Sequence, residues 1–113
     1  MDCIFCKIVS GEIPSDKLYE DEELIAFRDI NPQAPVHILI IPKLHIASTN
    51  ELTIEHQKLI TGLILAAKKL ADRENIASSG YRLVLNCGQN GGQAVAHLHL
   101  HLLGGRRLSD QLG

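Results

Sequence analysis

The 113-residue chain predicts an α+β domain: an antiparallel sheet of about five strands, one long helix across one face, and a short N-terminal helix. Three observations carry that expectation. Residues 97–103, His-Leu-His-Leu-His-Leu-Leu, alternate at the side-chain period of a β-strand. Residues 59–71 change to helical spacing, with Leu59, Ile60, Leu63, Ile64, Ala67, Leu70 and Ala71 on one face. Elsewhere, apolar runs of strand length are separated by Gly, Pro, Asn and Asp clusters.

Length and composition set the outer bounds. Residues 1–113 make one domain, and 45% apolar with 21% charged residues is ordinary for a globular protein. A net charge of −2, with no Lys/Arg cluster longer than two residues, argues against a nucleic-acid-binding face. No apolar run approaches the roughly 18 residues of a membrane span, and the N-terminus lacks a signal-peptide pattern. Three cysteines are an odd count for a disulfide framework, so the expectation is a reducing cytoplasm, away from membranes.

Taken in order, Asp2 caps a short helix whose Ile4, Phe5, Ile8 and Val9 pack inward, and Ser10-Gly11 ends it. Residues 17–20 and 24–28 form a hairpin about the acidic turn Glu20-Asp21-Glu22-Glu23. Residues 29–35 are a loop stiffened by Pro32 and Pro35, and residues 36–41 form an apolar strand interrupted by His37 and closed by Pro42. Thr53 caps the long helix, with Glu55 in its first turn, and the helix runs to about Glu74. Ser78-Ser79-Gly80 releases the chain into a strand over 81–87, a glycine loop and the histidine strand, which Gly104-Gly105 ends. The outer edges of the last two strands need pairing, which predicts association.

The histidine strand sends Leu98, Leu100 and Leu102 into the core. His97, His99 and His101 then form a row on the other face, roughly 7 Å apart. One such histidine is ordinary packing. Three in register, with no other polar residue between them, favour a site for phosphate, metal or proton transfer. The loop Asn86-Cys87-Gly88-Gln89-Asn90-Gly91-Gly92-Gln93 runs into this strand, and its glycines let backbone N–H groups approach an anion. A plain hairpin loop uses the same residues, but beside three histidines the amides and imidazoles can converge on one phosphorus. Neutral imidazole is a competent nucleophile there, and spacing alone nominates all three histidines. His37 either faces the same site or is a packed strand histidine.

Cys3-x-x-Cys6 is a second signal, since thiolates at this spacing hold zinc. A tetrahedral structural site needs four ligands, and His45 and His97 are the candidates for the other two. The plainer alternative is a pair of idle thiols in a short helix. His56 and Cys87 join no constellation and are expected to be structural.

His97-Leu98-His99-Leu100-His101-Leu102-Leu103 resembles the signature of the histidine triad (HIT) proteins. Ile4-Phe5-Cys6-Lys7-Ile8, residues 29–35, His37 with Ile41-Pro42-Lys43, Gly80-Tyr81-Arg82 and Gly91-Gly92-Gln93 are similar to its Hint branch, the purine nucleoside phosphoramidases. The resemblance implies a homodimer whose two five-stranded sheets join into one of ten strands. It implies a purine nucleoside monophosphate (AMP-like) ligand, with the middle histidine, His99, attacking the α-phosphorus and no catalytic metal. His101 would contact the phosphate and assist proton delivery, and His37 would orient the nucleophile. Asp29 would accept from the ribose hydroxyls, Phe27 and Ile30 would meet the base, and Asn86 with the backbone of Gly92, Gln93 and Val95 would hold phosphate and sugar. Cys3, Cys6, His45 and His97 resemble the structural zinc (Zn2+) site of several bacterial members. The same pocket also suits a second class, a nucleotide-binding or partner-docking module with vestigial catalysis. Three features depart from the pattern: Ala94 replaces a usual serine, Ala96 a common aromatic, and the chain has no tryptophan for a Trp-Pro-Pro tail.

Overall fold

A computed structural model describes residues 3–111. Its elements are α1 (Ile4–Ser10), β1 (Lys17–Glu20), β2 (Leu24–Arg28), β3 (Val36–Pro42), α2 (Gln57–Arg73), β4 (Tyr81–Val84) and β5 (Leu100–Gly104). The strands form one five-stranded sheet in the order β1-β2-β3-β5-β4, antiparallel throughout. The expected fold class is the one observed, and both strands of the first hairpin match their expected limits. Asp21 fixes that turn: its Oδ1 accepts from the amides of Glu23 and Leu24, each at 2.8 Å.

The two faces of the sheet are covered differently. Ala26, Ile38, Ile40, Leu100 and Leu102 pack under Leu59, Leu63, Ala67 and Leu70 of α2 in the larger core. Truncating a fully buried member such as Leu102 to alanine costs about 2–5 kcal/mol in such surroundings. On the opposite face α1 covers only the β2–β3 half, where Phe5 packs with Ile25, Phe27, Leu39 and Ile41. Beyond that cover, the part of this face carrying His37 at one end of β3 and His101 on β5 stays open, and there the candidate site lies.

Several local expectations change. Asp2 lies outside the described residues; Cys3 is the N-cap, its sulfur accepting from the Cys6 amide. Ile4 is 46% exposed rather than packed inward. Thr53 caps a 3-10 turn, Ile54–His56, in a reciprocal capping box with His56, and α2 begins one residue later. Ile64 points outward, while Ala66 takes a core position. β4 stops at Val84, three residues short, as the chain turns into a loop that Asn86 ties by donating to the Gly91 carbonyl at 2.7 Å. The turn needs glycine at 91, where a Cβ would lie 2.3 Å from the Cys87 carbonyl oxygen.

The histidine strand is also shorter than expected, for β5 begins at Leu100. Leu98 donates to the Ile46 carbonyl and His97 to that of Val95, so this stretch follows the loop after β3 rather than the sheet. β5 lies between β3 and β4, and among the described residues β1 and β4 are the edge strands.

Candidate active site

Leu98, Leu100 and Leu102 are buried as expected, but the three histidines do not form one evenly spaced row. Because β5 starts only after His99, the chain diverges there and splits them into two groups.

His97 is completely buried and turns toward α1. Its Nδ1 lies 3.3 Å from Cys3 Sγ, 3.6 Å from Cys6 Sγ and 3.2 Å from His45 Nδ1, and Cys6 Sγ is 3.3 Å from His45 Nδ1. With metal–sulfur and metal–nitrogen lengths of about 2.3 and 2.0–2.1 Å, a tetrahedral ion holds its sulfur and nitrogen ligands about 3.5 Å apart. The four donors fit that spacing, and all lie within 4.8 Å of one another. His97 Nε2 meets the Pro42 carbonyl at 2.8 Å, which leaves Nδ1 as the ligating atom. Burial holds the His97 ring below the usual histidine range, in the neutral form a metal needs. Burial and the adjacent Cys3 push the Cys6 thiol up, a cost that a cation between the sulfurs would remove. The expected ligand set is therefore together as a candidate metal site.

The second group faces the open half of the sheet. His99 is nearly buried, and its Nδ1 donates to the His97 carbonyl at 2.7 Å. In the neutral ring that bond leaves the lone pair on Nε2. No described residue bonds Nε2, and no buried side-chain nitrogen or oxygen lacks a partner, so this atom reaches the open side. The His101 ring sits 4.9 Å from that of His99, centroid to centroid. Behind it, His37 accepts from the Gln33 amide at Nδ1 (3.0 Å) and places its Nε2–H 3.0 Å from His101 Nδ1 and 3.4 Å from Asp29 Oδ2. This chain of bonds puts the His101 proton on Nε2. Burial, followed by the nearby His99 and His37, pulls the His101 pKa down to about 4. Burial likewise lowers His37, against the pull of Asp29. The site thus sets the open Nε2 of His99 beside the Nε2–H of His101.

Other expected contacts arrive differently. His37 bonds His101 rather than the expected nucleophile, whose orientation comes from the His97 carbonyl. Asp29 is held by the Asn31 amide, and Ile30 projects into solvent. Phe27 is buried beneath Phe5, so it is a floor rather than an open platform. In the glycine loop, the Gly92 and Gln93 amides are already bonded to the Gln89 and Gly88 carbonyls. The Gln93 side chain staples the loop, accepting from Gly88 and donating to Ala47 and Val95. Of the expected backbone donors, only the Val95 N–H has no partner among the described residues. Sequence reasoning missed two participants. The Gln33 amide leaves no trace in residue type. Phe5, expected only to pack inward from α1, stands edge-on to the rings of both His97 and His99.

Fold and site together define a class, the small α+β domains that set paired histidines beside a glycine loop. The family described as "Scavenger mRNA decapping enzyme C-term binding" matches residues 2–112. The chain is 50% identical over 111 residues to the purine nucleoside phosphoramidase of Escherichia coli K12, covering 98% of this chain and 93% of that protein. It is 56% identical over 108 residues to an uncharacterized HIT-like protein of Synechococcus elongatus, covering 96% and 94%. The crystal structure of a HIT family hydrolase from Legionella pneumophila superposes with a TM-score of 0.97 at 51% identity, over 99% of this chain and all of that one. The chain belongs to the histidine triad family of hydrolases, in its Hint-like branch.

Proposed function

We propose that this protein hydrolyses the P–N bond of purine nucleoside 5′-phosphoramidates, releasing an amine and a nucleoside monophosphate such as AMP. The observation that carries this reading is the His99 ring, fixed by a backbone carbonyl so that its Nε2 lone pair faces the open site beside the His101 N–H. His99 Nε2 forms a bond to phosphorus as the P–N bond breaks. The negative phosphate raises the His101 pKa from its low value, and the imidazolium so formed gives its proton to the departing nitrogen. Water then attacks phosphorus, His101 takes back a proton, and the phosphorus–His99 bond breaks. Asp29 receives the ribose hydroxyls and Ile30 lies against the base. Val95 N–H and Asn86 meet the phosphate, with Gly92 and Gln93 shaping the loop rather than donating. No step calls for a catalytic metal, because the imidazoles and amides carry the developing charge.

The Cys3, Cys6, His45 and His97 set holds structural zinc, which ties α1 to the segment leading into β5. The chain acts as a homodimer joined along the edge of β4, where Tyr81 and the following Leu85 are exposed. Light scattering at micromolar concentration should give twice the chain mass, and a stable monomer would remove that assembly. No helix among the described residues is long and apolar enough to cross a membrane, and an odd count of three cysteines suits a reducing cytoplasm.

The decisive experiment mixes the protein with adenosine 5′-phosphoramidate and follows ammonia and AMP, while acid-free denaturation during turnover traps the chain for intact mass. Release of both products with a chain heavier by one AMP unit is expected. Tight AMP binding with no turnover would replace this reading with the binding-module alternative, consistent with the missing hydroxyl at Ala94.

A further inference from the structure

Across the sheet from the histidines, a hollow of about 550 Å³ runs between the β1–β2 turn and the first turns of α2. Leu24 and Leu59 form its buried floor, and Leu65 walls it with 58% of its surface exposed. A smaller hollow of about 400 Å³ adjoins it, sharing Glu22, Glu23, Lys58 and Leu59, and reaches Leu44, which is 61% exposed. The two make one elongated groove with an exposed leucine toward each end. It lies on the β1 side of α2, where Lys69 stands over the Tyr19 ring at 5.6 Å. β4, the edge proposed for the homodimer, is at the other end of the sheet, so that assembly leaves the groove accessible.

The hollow exists because residue 62 is glycine. Lys58, Gly62 and Leu65 share one helical face, at i, i+4 and i+7. Glycine inside a helix is destabilising relative to alanine, and packing does not demand it here. A Cβ at 62 would meet only Leu24 Cδ1, at 3.4 Å, the near limit of ordinary van der Waals contact. What the missing side chain leaves is space over Leu24, between the helix and the turn. The fold forgoes helix stability and keeps apolar surface open to solvent at the same place, the pattern of a binding surface.

Charge names the occupant. The rim carries Asp21, Glu22, Glu23 and Glu55. Asp21 is spent on the turn, taking the Tyr19 hydroxyl at 2.6 Å besides the two amides, which fixes the rim in place. Glu22, Glu23 and Glu55 enter no ion pair among the described residues, and Lys43 is held by Glu20 at 2.7 Å. Among the described residues of the groove, Lys58 is then the one lysine left to face three unpaired carboxylates. Such a rim repels nucleic acid and anionic lipid and attracts a cationic partner. Two leucines set apart along a groove, with acids between them, match a polypeptide that brings spaced apolar anchors. We propose that this groove docks a polypeptide segment carrying two large apolar side chains among lysines and arginines, one anchor seated over Gly62. The site shares no residue with the histidine groups and stands independently of the hydrolase reading.

The test pans a random peptide library displayed on phage against the purified full chain and, in parallel, against Gly62→Met, whose side chain fills the hollow. Peptides enriched on the wild type are expected to carry two large apolar residues among lysines and arginines. A synthetic copy of one should bind with a Kd on the order of 10⁻⁵ M or tighter by fluorescence anisotropy. Gly62→Met should weaken it by about tenfold or more, the effect of losing a central anchor. The same variant should melt no lower than wild type, since methionine is the better helix former, and should leave turnover of adenosine 5′-phosphoramidate unchanged. Replacing both Glu22→Gln and Glu23→Gln should weaken binding by about 3–10-fold, an effect that added salt reproduces. No enrichment on the wild type, equal binding to Gly62→Met, or a consensus without basic residues overturns the proposal. So does a change of mass by light scattering in Gly62→Met, which would give the groove to a second copy of the chain.

Discussion

Two histidine groups flank the start of β5, two residues apart in sequence, and both are held largely away from water, yet they turn their ring nitrogens in opposite ways. Around His97 the donors face inward on one another, with ring nitrogens and sulfurs spaced for a tetrahedral ion. Around His99 and His101 the nitrogens are strung in a line, each proton placed by the group behind it, and the line ends on an open face. A closed set of donors suits holding something; an open one suits reacting. The comparison teaches that the number of histidines in a motif says less than where each ring's second nitrogen is spent.

Mutation at the open group should give the largest effects. His99→Ala should abolish turnover of adenosine 5′-phosphoramidate and the AMP adduct together, while AMP binding by calorimetry stays within about threefold. His101→Ala should slow turnover by roughly 10²–10⁴-fold, the range for a lost acid–base partner, and leave the adduct detectable. Near-normal activity in His99→Ala would move the nucleophile to His101 and erase the distinction drawn between the two rings.

The closed group should report through stability first. Protein purified without added metal should carry about one zinc per chain by elemental analysis. Cys3→Ser should release it and lower Tm by about 10 °C or more, since each kcal/mol shifts a domain of this size by roughly 4–8 °C. An unchanged Tm with no metal in the wild type would return the thiols to an idle role.

The smallest effect separates the groups by pH. His101, drawn down to about 4, and His37, also lowered, bind protons less readily folded than unfolded. Their contribution to stability is complete above the unfolded pKa of about 6.5 and is lost as pH falls toward about 4. Tm should decline over that window, and His101→Asn should flatten the decline by a few degrees. An identical slope in the variant would show that other groups carry it.

Much of this arrangement was legible in residue type and spacing, because burial imposes period. The hairpin, β3, the long helix and the inward leucines all follow from apolar repeats, and the four metal-site residues from ligand chemistry. What escaped was decided by the main chain. The histidine strand looks continuous from His97, yet its first residues bond the loop at Ile46, so the triad divides. The glycine loop looks like an anion nest, yet two of its amides are spent closing its own turn.

The bond from His99 to the His97 carbonyl, and that from the Gln33 amide to His37, have a consequence for how such a site ages. Both tautomers are set by main-chain groups, which no side-chain replacement deletes, proline at position 33 excepted. The proton arrangement of the site is therefore not encoded at the positions that enforce it. The side chain at Gln33 can change while the orientation of the imidazole lone pair is kept.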